Sequence, residues 1–215
     1  DYAKWLGAAT TAYWLSAQAA LIVAAVALGT EATGVLKAAL VLLGPLNVLL
    51  LVLDTMLPIA FARAFASGGP ARVRAGVEST LRTAAPAVVL YCLLVTAFGD
   101  ALLSAVFGAA YTGGTALIAL LAAYYGLGYT ARVLSAGLRA QRRTAAVFAA
   151  YATASAVGLG ASAAGVTWLG LTGAALGMVA GAATSCGVLL LAHRERTPVR
   201  SPAAGEPLLG GAIDA

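Results

Sequence analysis

Charge is the scarcest property of this sequence. Asp, Glu, Lys and Arg make up 10% of the residues and hydrophobic types 61%, whereas soluble globular domains carry about 25% charged residues. That balance excludes a soluble domain and reads as an integral membrane protein. Cysteine is almost absent. Cys92 and Cys186 both lie in apolar runs, which excludes a disulfide framework and leaves two small reduced core residues. A single histidine, His193, leaves no His, Cys and Asp set for a metal. Carboxylates are as sparse: outside the termini and tail they are Glu31, Asp54, Glu78 and Asp100. No HExxH, GxSxG or Walker loop occurs, and the apolar spans hold neither an aspartate pair nor a nucleophile with its base, so an enzyme is not expected. The net charge of +5 invites a nucleic-acid reading, but no basic and aromatic interleaving supports one.

What the sequence has in abundance is apolar length. Residues 34–66, GVLKAALVLLGPLNVLLLVLDTMLPIAFARAFA, would run about 50 Å as a continuous helix, more than the roughly 30 Å of a bilayer core. At 100° per residue, Lys37, Gly44, Asn47, Asp54 and Pro58 share one polar stripe on an otherwise Leu, Val, Ile and Ala surface. Pro45 and Pro58 are the expected kinks, where freed carbonyls can face water.

Six spans follow from the hydropathy: about 12–28, 34–66, 84–98, 115–138, 145–166 and 171–192. The fold class is therefore all-α, a six-transmembrane-helix bundle over residues 1–193, followed by a disordered tail at 194–215 rich in Pro, Gly and Ala. Trp5, Tyr13 and Trp14 suit an aromatic belt at the entry to the first span. Opening on DYAKWLGAATTAYW with no initiator Met, signal peptide or soluble segment, the chain reads as a piece cut from something longer.

The basic residues orient this layout. Lys4, then Arg63, Arg72, Arg74 and Arg82, then Arg139, Arg142 and Arg143, then Arg194, Arg196 and Arg200 all fall in alternate connections, leaving only Lys37 and Arg132 of the 13. The opposite loops hold Glu31 and Asp100. Such asymmetry predicts both termini in the cytoplasm.

Gly173, Gly177 and Gly181, continued by Ser185, repeat small residues four apart, and Ala154, Gly158 and Ser162 do so on the fifth span. This spacing lets helices approach closely where lipid supplies no hydrophobic drive, and is read as packing. Residues 100–114, DALLSAVFGAAYTGG, are apolar but too short to span and read as a short helix in the outer interface.

The polar groups inside the spans are the candidate site: Gln18, Lys37, Asn47, Asp54 and Arg132. Counted from the outer ends of their helices, Asp54 and Arg132 reach similar depth, about 25–30 Å in. Tyr125, Gly128, Arg132, Ser135 and Arg139 form a stripe of their own. Two readings stay open for the charges. They line a cavity, or they snorkel to headgroups. Asn47 and Gln18 carry the further option of simple interhelical hydrogen bonds.

The runs LKAALVLLGPLNVLLLVLDTMLPIAFAR, VFGAAYTGG, LSAGLRAQRRT and GLTGAALG resemble the C-terminal half of a polysaccharide flippase of the multidrug/oligosaccharidyl-lipid/polysaccharide (MOP) exporter superfamily, with its MATE-like fold. The resemblance covers nearly everything up to about Arg196 and rests mostly on the order and spacing of the spans. It implies one lobe of a two-lobe transporter whose N-terminal six-helix lobe is missing from this sequence. It also implies a bacterial plasma (inner) membrane location and alternating-access export of a polyprenyl-pyrophosphate-linked glycan for polysaccharide, lipopolysaccharide or O-antigen assembly. No cofactor is implied beyond a coupling Na+ or H+. By carry-over Gln18, Lys37, Asn47 and Asp54 face the cavity, with Arg132 beside them. A drug or peptidoglycan-precursor exporter of the same fold and a non-transporting membrane scaffold are the alternatives.

Overall fold

A computed structural model describes residues 2–108 and 114–195, with side chains described at Gly7 and from Ile22 onward. These residues form four α-helices: α1 Tyr2–Leu42, α2 Gly44–Phe107, α3 Thr115–Ala140 and α4 Thr144–Arg194. All four are long and apolar enough to cross a membrane, α1 over Ile22–Leu42. Four helices replace the six expected from the hydropathy runs. Three of the expected connections shrink to one or two non-helical glycines between helical halves, while a further break at Leu43 divides the expected second span. Non-helical φ/ψ occurs at Gly29 in α1, at Gly68 and Gly69 in α2 and at Gly170 in α4.

Two of these breaks reverse the chain. Gly69 (φ 61, ψ −159) and Gly170 (φ 57, ψ −132) occupy a backbone region that only glycine enters without large strain. Around Gly68–Gly69 the halves of α2 fold back on each other. Phe61 lies against Gly76, and further along the Tyr91 hydroxyl ties the second half to the end of α1, donating to the Leu42 carbonyl at 2.6 Å. Around Gly170, Gly165 meets Gly173, Gly158 meets Gly181, and Ser162 Oγ donates to the Ala174 carbonyl at 3.1 Å. The small residues Gly173, Gly177 and Gly181 therefore pack within one hairpin, against Ala154, Gly158 and Ser162 of the same helix. A Cβ at Gly181 would sit 2.9 Å from the Ala154 carbonyl oxygen.

Residues 34–66 are not one unbroken helix. α1 ends at Leu42 and α2 starts at Gly44, with the Leu43 N–H bonded to the Leu40 carbonyl at 3.2 Å. Pro45 falls in the first turn of α2, where its missing N–H has no intrahelical partner to lose. Pro58 lies inside α2, whose non-helical residues are Gly68 and Gly69.

The short outer helix expected at 100–114 is also corrected. α2 continues through Asp100 to Phe107, because Gly99 serves close packing instead of a break: a Cβ there would meet Ile118 Cδ1 at 2.5 Å. Residues 109–113 lie outside the described residues, as do 196–215, where most of the expected tail falls; α4 itself runs through Arg194. Asp100 instead holds the start of α3. Its carboxylate accepts the Gly114 N–H at 3.1 Å and the Thr115 hydroxyl, a capping role supplied from another helix at the positive end of the α3 dipole. Asp100→Ala is expected to destabilise the bundle by about 1 kcal/mol, measured as a lowered unfolding temperature, whereas Asp100→Asn, whose side-chain oxygen still accepts the Gly114 N–H, should retain most of the stability.

α3 is the central element. Between Ala131 and Leu138 nearly every side chain is buried. It runs against the second half of α2, with the Tyr129 hydroxyl donating to the Thr80 carbonyl at 2.7 Å and Gly137 against Val77. Its other side meets α4, where Cys186 Sγ lies 3.0 Å from the Leu127 carbonyl. One core gathers Leu50, Phe61, Val77, Leu134, Val147 and Leu189; a second gathers Leu36, Leu43, Val95, Leu103, Ile118 and Ala174. Tyr91, Cys92 and Tyr125 pack against both and make them continuous.

Candidate functional site

In the first half of α2, Leu46, Leu50, Leu57 and Phe61 are buried at spacings of four, seven and four, the interval of a helix face turned inward. Asn47 and Asp54 fall about 50–70° from the centre of that face, given 100° per residue. They emerge at its margin, both exposed. Around them Val48, Leu51, Val52, Met56 and Ile59 are exposed apolar residues. The margin is thus a polar line beside a surface suited to lipid or to another apolar protein face.

Arg132 leaves α3 between buried Ala131 and Val133 and reaches outward. Its Nε lies 3.4 Å from Asp54 Oδ2, with the arginine side chain 13% and the aspartate side chain 39% exposed. The apolar stem is thus wrapped in the bundle while the head reaches the surface. Arg139, two turns further along α3, adds a second positive field at Asp54. The site therefore holds two cations against one carboxylate. Pro58 sharpens it: lacking an N–H, it leaves the Asp54 carbonyl without its usual intrahelical donor. Asp54 presents two acceptors at one point, the carboxylate and its own backbone oxygen.

Of the sequence candidates, the fold brings together Asp54 and Arg132, which lie on different helices, and leaves Asn47 two turns away on the same line. Lys37 is exposed on α1, beyond the α1–α2 junction, and forms no ion pair among the described residues. The side chain of Gln18 lies outside the described residues. Among the described residues no group of His, Cys, Asp and Glu is arranged for a metal.

Sequence reasoning missed a second polar cluster, at the end of the bundle that carries the α2 reversal and the α3–α4 connection. There Arg143 donates to the Ala192 carbonyl and pairs with Glu195 at 3.1 Å. His193 feels Arg74, Glu78 and Arg143. The signal was the basic run AQRRT beside the lone histidine, but these positions are some 50 residues apart in the chain and nothing local joins them.

No family model, curated protein or solved structure matches this chain.

Proposed function

We propose that this chain is one lobe of a two-lobe, MATE-like membrane exporter that moves a lipid-linked oligosaccharide across the bacterial plasma membrane by alternating access. The observation that carries this reading is the Asp54–Arg132 pair at the edge of an exposed apolar helix face, with Arg139 adding positive charge. An ion pair held in apolar surroundings costs desolvation, and ionisable groups in membrane helices are most often found facing a water path or a partner. The excess positive charge suits a pyrophosphate carrier, since an oxyanion can compete with Asp54 for Arg132. The exposed face of α2 is the surface a second lobe would cover, and an interface between two rigid bundles is where alternating-access transporters place substrate. In this reading the basic end faces the cytoplasm, as do both termini. Lys37, Asn47 and, by family likeness, Gln18 line the route, and a Na+ or H+ gradient drives it.

The test is glycan export by the membrane-embedded full-length protein bearing Arg132→Ala, Asp54→Ala or the reversed pair Asp54→Arg/Arg132→Asp, at matched protein levels. Each single change is expected to lower export at least tenfold, with cytoplasm-facing lipid-linked glycan accumulating. Unchanged export in both singles overturns the assignment and favours a scaffold. Changed drug sensitivity or loss of peptidoglycan precursor export, with glycan export intact, redirects the substrate within the same fold.

A further inference from the structure

The end cluster described above has a chemical asymmetry. Among the described residues, the buried side-chain polar atoms without a hydrogen-bond partner are Arg74 Nε, Arg139 Nε, Gln141 Nε2 and His193 Nδ1. Every one is a nitrogen. The two arginine nitrogens and the amide nitrogen can only donate, and the imidazole nitrogen donates in one of its tautomers. No oxygen stands among them to accept. Buried donors left unmatched are costly, and a native fold normally pairs them.

All four belong to one end of the bundle. Arg74 follows Val73 on the second half of α2, and Gly137 of α3 packs between Val73 and Val77. Gln141 follows at the end of α3 and is 8% exposed. His193 stands beside Ala192, whose carbonyl accepts from Arg143, and it lies within the fields of Arg74, Glu78 and Arg143. α4 starts at the same point with no side-chain cap and no acidic residue in its first turn, so its first amides are further donors at the end where α3 and α4 also close with their C-terminal carbonyls. The local carboxylates are otherwise engaged: Glu78 with Arg82 at 3.7 Å and Glu195 with Arg143.

We propose that this end of the bundle, through Arg74, Gln141 and His193 with Arg139 beside them, is a binding site for a phosphate group. A phosphate offers several strong acceptors and negative charge together, which water supplies only in part. The site holds neither Asp54 nor Arg132, shares only the field of Arg139 with that pair, and does not depend on the transport reading. The phosphate reaches it either as a headgroup of an anionic lipid in the adjoining leaflet or free from solution.

The chain in phosphatidylcholine nanodiscs is titrated with inorganic phosphate against chloride at equal ionic strength, and separately compared in nanodiscs containing phosphatidylglycerol. Occupancy is expected to raise the unfolding temperature by about 5 °C near saturation. A rise with inorganic phosphate identifies a free anion as sufficient; a rise with phosphatidylglycerol alone identifies the lipid headgroup. Arg74→Gln should remove the response, while Arg72→Gln, which deletes the same charge from an exposed position two residues away, should keep it. Gln141→Glu serves if the arginine variant does not fold. It places a carboxylate among the donors, so the unliganded protein should be as stable as before or more so while the phosphate response disappears. No rise in either medium, or equal loss in Arg72→Gln, overturns the proposal.

Discussion

Gly173→Leu is expected to abolish the folded bundle, with a loss of about 3 kcal/mol or more. Even a single methyl at this position would overlap the carbonyl of Gly165 across the α4 hairpin, and both partners are backbone atoms that cannot rotate aside. A leucine must therefore separate the two halves of α4. The adjoining contacts then go as well, because Gly177 rests on Ser162 and Gly181 on Gly158 in the same seam. The matched control is Gly187→Ala. It lies on the same half of α4 with no atom within 4 Å of the added Cβ, and helix propensity favours alanine there. Abundance of the membrane-inserted protein and its unfolding temperature separate the two. Equal behaviour of both variants would mean that the hairpin is not packed through these glycines.

Arg132→Met is expected to destabilise more than the double change Asp54→Leu/Arg132→Met. Removing the arginine alone strands a carboxylate at the edge of an apolar face, whereas removing both leaves an apolar surface compatible with its surroundings. For fully buried pairs the single loss runs to about 3–5 kcal/mol. Asp54 retains 39% side-chain exposure, so about 1–3 kcal/mol is the expected scale here. A double-mutant cycle on unfolding free energy in detergent or nanodiscs measures the coupling. Additive losses would show that Arg132 is anchored by the bundle alone and that the carboxylate does not hold it. Export by the double variant should still be lost if the charges handle substrate, which separates a stability role from a transport role.

Glycine shows where sequence reading stops. The chain contains 25 glycines. Gly69 and Gly170 reverse it, Gly99 and Gly137 let side chains of neighbouring helices close in, and Gly173 makes a backbone contact within a hairpin. Nothing in the flanking residues separates these roles, because each is decided by what lies opposite. The expectation of six separate spans failed on the same point. Hydropathy locates apolar runs, but that Gly68–Gly69 and Gly170 reverse the chain within one or two residues, where a longer loop was expected, depends on the neighbours that hold both halves. The outer helix expected at 100–114 failed likewise: Asp100 stays inside α2 because Gly99 fits Ile118, and its carboxylate finds the α3 N-terminus across a connection.

Composition alone determined that this chain is built of long apolar helices. Bilayer compatibility acts on each residue separately, so it can be read one residue at a time. That Asp54 and Arg132 are charges within apolar runs was legible too, but the count of residues from Gly34 to Asp54 ran through the break at Leu43. Their meeting was not legible. The partners belong to different helices, and only the packing of α3 against the folded-back α2 brings a guanidinium from the centre of the bundle to a carboxylate at its margin. The placing of Arg74, Gln141 and His193 at one end of the bundle is likewise a product of tertiary structure, because α2, α3 and α4 bring there residues that lie far apart in the chain.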